Sequence, residues 1–175
     1  VTRVFLIGFM GTGKTTLGQA LAHNLSVEFC DLDQYIENRY RKTVSQLFKE
    51  YGSDGFHSIE GRLLHEVGEF EDIVISCGGA TPLYFDNMDY MNKQGVTVFL
   101  DTSTEVLFNR LSVARMRRPV IAALSDSELK EFIDAELSRR RPFYEKALYR
   151  FDGSLLESRK DIDDSVQRLR DLLDI

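Results

Sequence analysis

Short apolar runs of strand length alternate along the chain with stretches whose apolar residues recur every three or four positions. Arg3 to Ile7 reads as a first strand, and Thr15 to Leu25 as a helix with Leu17, Leu21 and Leu25 on one face. Phe29 and Cys30 form a brief second strand ending at Asp31, and a helix is expected from Gln34 to Arg41. Thr43 opens the next helix, with Gln46 three residues on to complete a capping box. Ile73 to Ser76 and Val96 to Leu100 are the third and fourth strands. The same Ser/Thr-x-x-Glu pattern at Thr102 and Glu105 starts a helix through Leu111. At Ser125 and Glu128 it starts a long helix ending near Pro142. Tyr149 to Phe151 is a candidate fifth strand, and a last helix carries Ile162, Val166, Leu169 and Leu173 on one face. Strands separated by helices predict an α/β fold: a parallel sheet with both faces covered. In such sheets ligands lie beyond the carboxyl ends of the strands.

Composition narrows this picture. A chain of 175 residues, 43% of them apolar, fits one domain with its own core. The formal net charge of −6 argues against nucleic acid or an anionic membrane as partner. No apolar run approaches the roughly 20 residues that span a bilayer. Val1 to Gly8 runs straight into a motif, so no export leader is expected. Cys30 and Cys77 have no metal-like spacing and read as two buried, reduced thiols, with a cytoplasmic location expected.

Gly8-Phe9-Met10-Gly11-Thr12-Gly13-Lys14-Thr15 matches G-x-x-x-x-G-K-S/T, and it lies between a strand and a helix as that motif requires. Its glycines let the backbone curl until successive N–H groups point at phosphate oxygens. The following helix adds its positive end. Lys14 is placed to reach the β and γ phosphates, and the Thr15 hydroxyl to ligate Mg²⁺. The ligand is a nucleoside triphosphate. Asn92-Lys93-Gln94-Gly95 begins like a guanine-reading signature but ends in glycine, without the carboxylate, and reads instead as a helix end capped by Gly95.

Four further segments carry candidate chemistry for an acceptor. Asp31-Leu32-Asp33 follows the second strand, and extended residues two apart point to one side, so both carboxylates are expected to face the phosphate loop. Asp31 could hold Mg²⁺ through water, and Asp33 could take a proton from an attacking hydroxyl or cap the next helix. Gly78-Gly79 allows close backbone approach to a ligand after the third strand. Arg139-Arg140-Arg141 at a helix end suits either the helix dipole or a carboxylate. Arg110, Arg115, Arg117 and Arg118 form a positive cluster, and Ser112 to Leu124 reads as a lid that closes over the nucleotide.

Together these segments resemble the shikimate kinases over nearly the whole chain. The resemblance rests on the phosphate loop, Asp31-Leu32-Asp33, Gly78-Gly79, Arg118-Pro119-Val120-Ile121 and Arg140-Arg141-Pro142-Phe143-Tyr144. It implies a three-layer, nucleoside-monophosphate-kinase-like fold with a five-stranded parallel sheet. It also implies ATP and Mg²⁺ as cofactors, shikimate as substrate and transfer of the γ-phosphoryl group to its 3-hydroxyl. A single kinase domain over 1–175 is expected, with a substrate-binding segment at about 33–61 and a lid at about 112–124, acting as a monomer. By motif, Gly11, Thr12, Gly13, Lys14, Thr15, Thr16, Arg110 and Arg118 are implied as nucleotide contacts. Arg110 resembles the arginine that packs on adenine, and Arg118 the lid arginine that reaches the phosphates. Thr15 and Asp31 are implied for the metal, and Lys14, Asp33 and Arg118 for catalysis. Asp33, His57, Gly78, Gly79 and Arg140 are implied for shikimate, with Arg140 gripping its carboxylate.

Two departures stand out. His57 replaces the second carboxylate-binding arginine in Phe56-His57-Ser58-Ile59-Glu60, so weaker shikimate binding that improves as His57 protonates is expected. Ala80 replaces the family's third glycine, with little harm expected unless φ there is positive. Two alternatives remain: a kinase for another polyol acid such as gluconate, and a nucleotide-binding module that has lost catalysis.

Overall fold

A computed structural model describes residues 1–175. Five strands, β1 (Arg3–Ile7), β2 (Glu28–Asp31), β3 (Ile73–Ser76), β4 (Val96–Asp101) and β5 (Tyr149–Asp152), form one sheet in the order β2-β3-β1-β4-β5. Every pairing is parallel, with Leu6 opposite both Ser76 and Val98. The helices are α1 (Lys14–Leu25), α2 (Leu32–Tyr40), α3 (Val44–Val67), α4 (Asn87–Gln94), α5 (Thr104–Ala114), α6 (Asp126–Tyr144) and α7 (Arg159–Leu173).

The alternation within β1 divides the core. Val4 and Leu6 point to one face and join Leu17, Leu21, Val166 and Leu169 of α1 and α7. Phe5 and Ile7 point to the other and join Leu32, Leu64, Leu107 and Ile133 of α2, α3, α5 and α6. Burial on both faces makes the three inner strands β1, β3 and β4 near-continuous apolar runs, as parallel sheets require, whereas the edge strands β2 and β5 are partly exposed. No helix is long and apolar enough to cross a membrane.

The capping boxes at Thr43 and Ser125 form as the spacing predicts. The third does not: Ser103, not Thr102, caps α5, its hydroxyl accepting from the Val106 N–H. Thr102 is instead buried against the phosphate loop, where its hydroxyl donates to the Thr12 carbonyl. The long helix runs through Pro142 to Tyr144. A proline so near the end removes one hydrogen bond without breaking the helix, and the Tyr144 hydroxyl anchors that end by donating to the Gly79 carbonyl at 2.6 Å. Within α3, Gly52 (φ 74°, ψ 178°) interrupts the helical path. Cys77 is buried, but Cys30, on the sheet's edge strand, is only partly so; neither forms a disulfide.

Candidate active site

The loop from Gly8 to Gly13 leaves the carboxyl end of β1, the central strand. Gly11 (φ 80°) and Gly13 (φ 95°) hold left-handed backbone that other residues adopt only with strain. Gly13 is also the N-cap of α1 and supplies no side chain to its first N–H groups. Orphan donors and a helix dipole in this arrangement suit a loop to an anion. Lys14 Nζ donates to the Gly8 and Phe9 carbonyls at 2.7 and 2.9 Å. Burial pulls its pKa down to about 8, against opposing pulls from Asp33 and Asp31.

Thr15 begins beside the end of β2. Its Oγ1 donates to Asp31 Oδ2 at 3.4 Å, while Asp31 Oδ1 accepts the Gln34 N–H at 3.1 Å. Asp31, not Asp33, is therefore the cap of α2. The expectation that strand parity aligns the two carboxylates is corrected, because Asp33 already sits in the first turn of α2. They converge on one cavity through the tight strand-to-helix turn. Burial pushes the Asp33 carboxyl up to about 6, with the Glu60 and Asp31 charges adding to the rise and Lys14 opposing it.

The cavity has a volume of about 420 Å³ and is lined by Gly11, Gly13, Lys14, Thr15, Thr16, Asp31, Asp33, Gly78, Gly79, Arg110 and Arg118, all expected from sequence. A β-carbon on Gly78 would lie 3.3 Å from Asp33 Oδ1, and one on Gly79 would lie 3.0 Å from Arg140 Nη1. The absence of side chains therefore keeps this turn open between the Asp33 carboxylate and the Arg140 guanidinium. Ala80 has φ −98°, so the third glycine of the family is not needed.

Of the three consecutive arginines, Arg140 alone reaches this region. Its guanidinium lies over the Phe9 ring, 5.4 Å from the centroid, and Nε donates to Glu136 at 3.1 Å. Arg141 is held by Asp101, and Arg139 is exposed beside Glu136. The arginine cluster divides in the same way. Arg118 faces the cavity, half-buried with its pKa lowered by that burial, and its guanidinium makes no hydrogen bond to protein. Arg115 is a brace, donating to the Leu124 carbonyl, Ser112 and Asp126. Arg110 Nη1 donates to the Gly11 carbonyl at 3.0 Å, and its Nη2 to those of Gly153 and Ser154 at 2.8 and 3.2 Å. The expected lid at 112–124 begins inside α5, continues as a 3₁₀ turn at Arg115–Arg117 and then as turns.

Three expected contacts do not line the cavity itself: Thr12, His57 and Arg140, the last standing at its edge beside Gly79. Thr12 is buried, its hydroxyl donating to the Phe9 carbonyl, so only its backbone can serve the loop. His57 is 4% exposed, hydrogen-bonded through Nδ1 to Glu60 Oε1 at 3.0 Å and stacked on Tyr84 at 3.6 Å. The cause is local: residues three apart share a helix face, and both rings and carboxylate are packed inward.

The chain matches the family model described as Shikimate kinase over residues 10–170. The chain belongs to the shikimate kinase family. A shikimate kinase of Phocaeicola vulgatus is 55% identical over 170 residues, covering 97% of each chain. The crystal structure of shikimate kinase from Bacteroides thetaiotaomicron superposes with a TM-score of 0.97 at 51% identity, covering 99% of both chains. That of shikimate kinase from Acinetobacter baumannii in complex with shikimate has a TM-score of 0.84 at 28% identity, covering 99% of this chain and 94% of that one.

Within this shikimate kinase fold, sequence reasoning missed Glu60, Leu156 and Glu157. Glu60 is a buried carboxylate whose Oε2 accepts from Thr81 at 2.8 Å and whose charge bears on Asp33. Leu156 and Glu157 line the cavity from the segment after β5. No motif marks Leu156 or Glu157, and Glu60 enters the motifs only as the end of the Phe56 to Glu60 segment. Glu60 follows His57 by three positions, a pairing signal that was available, whereas the other two are placed only by the sheet's closure against α7.

Proposed function

We propose that this chain transfers the γ-phosphoryl group of ATP to the 3-hydroxyl of shikimate, with Asp33 as the base. One observation carries the assignment: a buried carboxyl with a pKa near neutrality, about 6, opens on the same cavity as the phosphate-loop lysine. In this reading the α1 N–H groups and Lys14 hold the β and γ phosphates. The Asp33 carboxylate accepts the hydroxyl proton as that oxygen bonds to the γ-phosphorus. The bond from phosphorus to the β–γ bridging oxygen breaks, and the electron pair leaves on ADP. Lys14 and Arg118 offset the charge spread over the transferred group.

Thr15 and Asp31 would hold Mg²⁺. No cluster of three acidic, histidine or cysteine side chains exists to cage a metal alone. One hydroxyl beside one carboxylate therefore suits a cation that takes its other ligands from phosphate and water. When bound, Mg²⁺ would neutralise phosphate charge. Arg140, over Phe9 and beside Gly79, would pair with the shikimate carboxylate. The substrate segment at about 33–61 and the lid at about 112–124 belong to one kinase domain in this reading. A monomer in the cytoplasm without nucleic-acid or membrane partner accords with the net charge of −6.

ADP release with ATP, Mg²⁺ and shikimate, beside gluconate and no-acceptor controls, tests the reading. Release that depends on shikimate is expected; release with gluconate alone would overturn the substrate assignment.

A further inference from the structure

Beyond the phosphate loop, the cavity is walled by Thr16, Ala114, Arg110, Leu156 and Glu157. Arg110 ties two separate loops together here. Its Nη groups donate to carbonyls of Gly11, Gly153 and Ser154, and its Nε donates to Glu157 Oε1 at 2.9 Å. Leu156 packs so closely on the phosphate loop that a β-carbon on Gly13 would lie 2.4 Å from its Cδ1.

A guanidinium donates only in its own plane. With Nε, Nη1 and Nη2 all engaged by protein oxygens, Arg110 has little left for phosphate. Arg118, whose guanidinium has no protein hydrogen bond, is the free cation of the cavity. What Arg110 can still offer is its flat face, which suits stacking on an aromatic ring. The carbonyl contacts hold the Nη side of that plane. Glu157 Oε1 alone holds the edge that carries Nε, lying 2.9 Å from Nε and 2.8 Å from Nη2, and without it the plane can pivot about its carbonyl contacts. Glu157 is 64% exposed, so its ion pair with Arg110 adds little to folding.

We propose that Glu157 is a positioning residue for the nucleotide base: it sets the angle of the Arg110 plane on which the base stacks. The proposal rests on the reading of the chain as an ATP-dependent kinase.

The test uses the full chain and two ligands, ATP and inorganic tripolyphosphate, the second having phosphates but no base. Calorimetric titration of E157A is expected to show ATP binding weakened about three- to fivefold, the size of a partly exposed cation–π contact, with tripolyphosphate changed less than about twofold. E157Q, whose amide oxygen can still accept from Nε, is expected to fall between E157A and wild type. In turnover assays the E157A defect should appear in KM for ATP rather than in kcat. Equal weakening of both ligands would overturn the proposal, showing that Glu157 shapes the phosphate loop; so would no change in either. Wild-type protein that binds neither ligand would overturn the kinase reading and the proposal with it. Wild-type protein that binds both, with E157A unaltered, would overturn the proposal alone.

Discussion

The Thr15 hydroxyl, in the first turn of α1, lies 3.4 Å from the Asp31 carboxylate that caps α2. One carboxyl thus has two duties, and substitutions separate them. D31N keeps a side-chain oxygen that can cap the helix but loses the charge. It is expected to raise the Mg²⁺ concentration for half-maximal activity about tenfold while changing stability by less than about 0.5 kcal/mol. D31A is expected to show the same Mg²⁺ defect and an added loss of about 1 kcal/mol. Mg²⁺ titration of activity and urea denaturation check the pair.

The pKa of about 6 at Asp33 sets a pH dependence on activity. As the base, Asp33 must be ionised, so kcat/KM for shikimate should fall tenfold per unit as pH drops below about 6. A limb that remains in D33N would remove Asp33 as its source.

The same shift makes a stability prediction of opposite sense. The folded value, about 6, lies above the ordinary 3.8, so the folded state holds the proton more tightly. The stability this proton contributes is full below pH 3.8 and is lost as pH rises through about 6. D33N has no charge to desolvate. At pH 7 it should be more stable than wild type by on the order of 2 kcal/mol, while losing activity. The gain should vanish near pH 4 in denaturation curves measured across this range.

His57 and Arg140 should separate stability from affinity. Removing His57 leaves Glu60 buried with Thr81 as its remaining partner, at a cost of about 1–3 kcal/mol. Because the His57 ring is buried, with Nδ1 held by Glu60 and its face covered by Tyr84, H57A is expected to raise KM for shikimate less than about threefold. R140A is expected to raise it tenfold or more, the loss of a charge-assisted bond. A large KM effect in H57A, with stability intact, would restore the expectation drawn from sequence that His57 touches the substrate.

Gly52 tests backbone alone. A β-carbon there would meet nothing within 4 Å, yet φ 74° with ψ 178° is glycine territory. G52A should therefore cost about 1–3 kcal/mol through strain rather than a clash. The shift in denaturation midpoint measures it.

What could be read from the sequence followed what is local. The phosphate loop, the strand runs and the boxes at Thr43 and Ser125 are each specified by residues a few positions apart, and each formed as expected. Asp31 and Asp33 both line one cavity, as expected, but not through the strand geometry expected of them, since Asp33 belongs to α2. The inward turn of His57 depends on Glu60, three positions on, and on stacking against Tyr84 from another segment, a contact no local pattern encodes. Arg115 looked like a lid cation until α5 and α6 came together around it.

The sheet order has a kinetic corollary. β1 is hydrogen-bonded on both sides, to β3 and β4, whereas β2 lies at an edge with one neighbour. The phosphate loop springs from the interior strand, and Asp33 follows the edge strand. Local opening begins where a segment has fewest partners. Amide exchange should therefore be slowest along Phe5 to Ile7 and faster along Glu28 to Asp31. In the proposed reading, the donor would be gripped from the least yielding strand, and the acceptor would meet the side of the sheet that opens more readily.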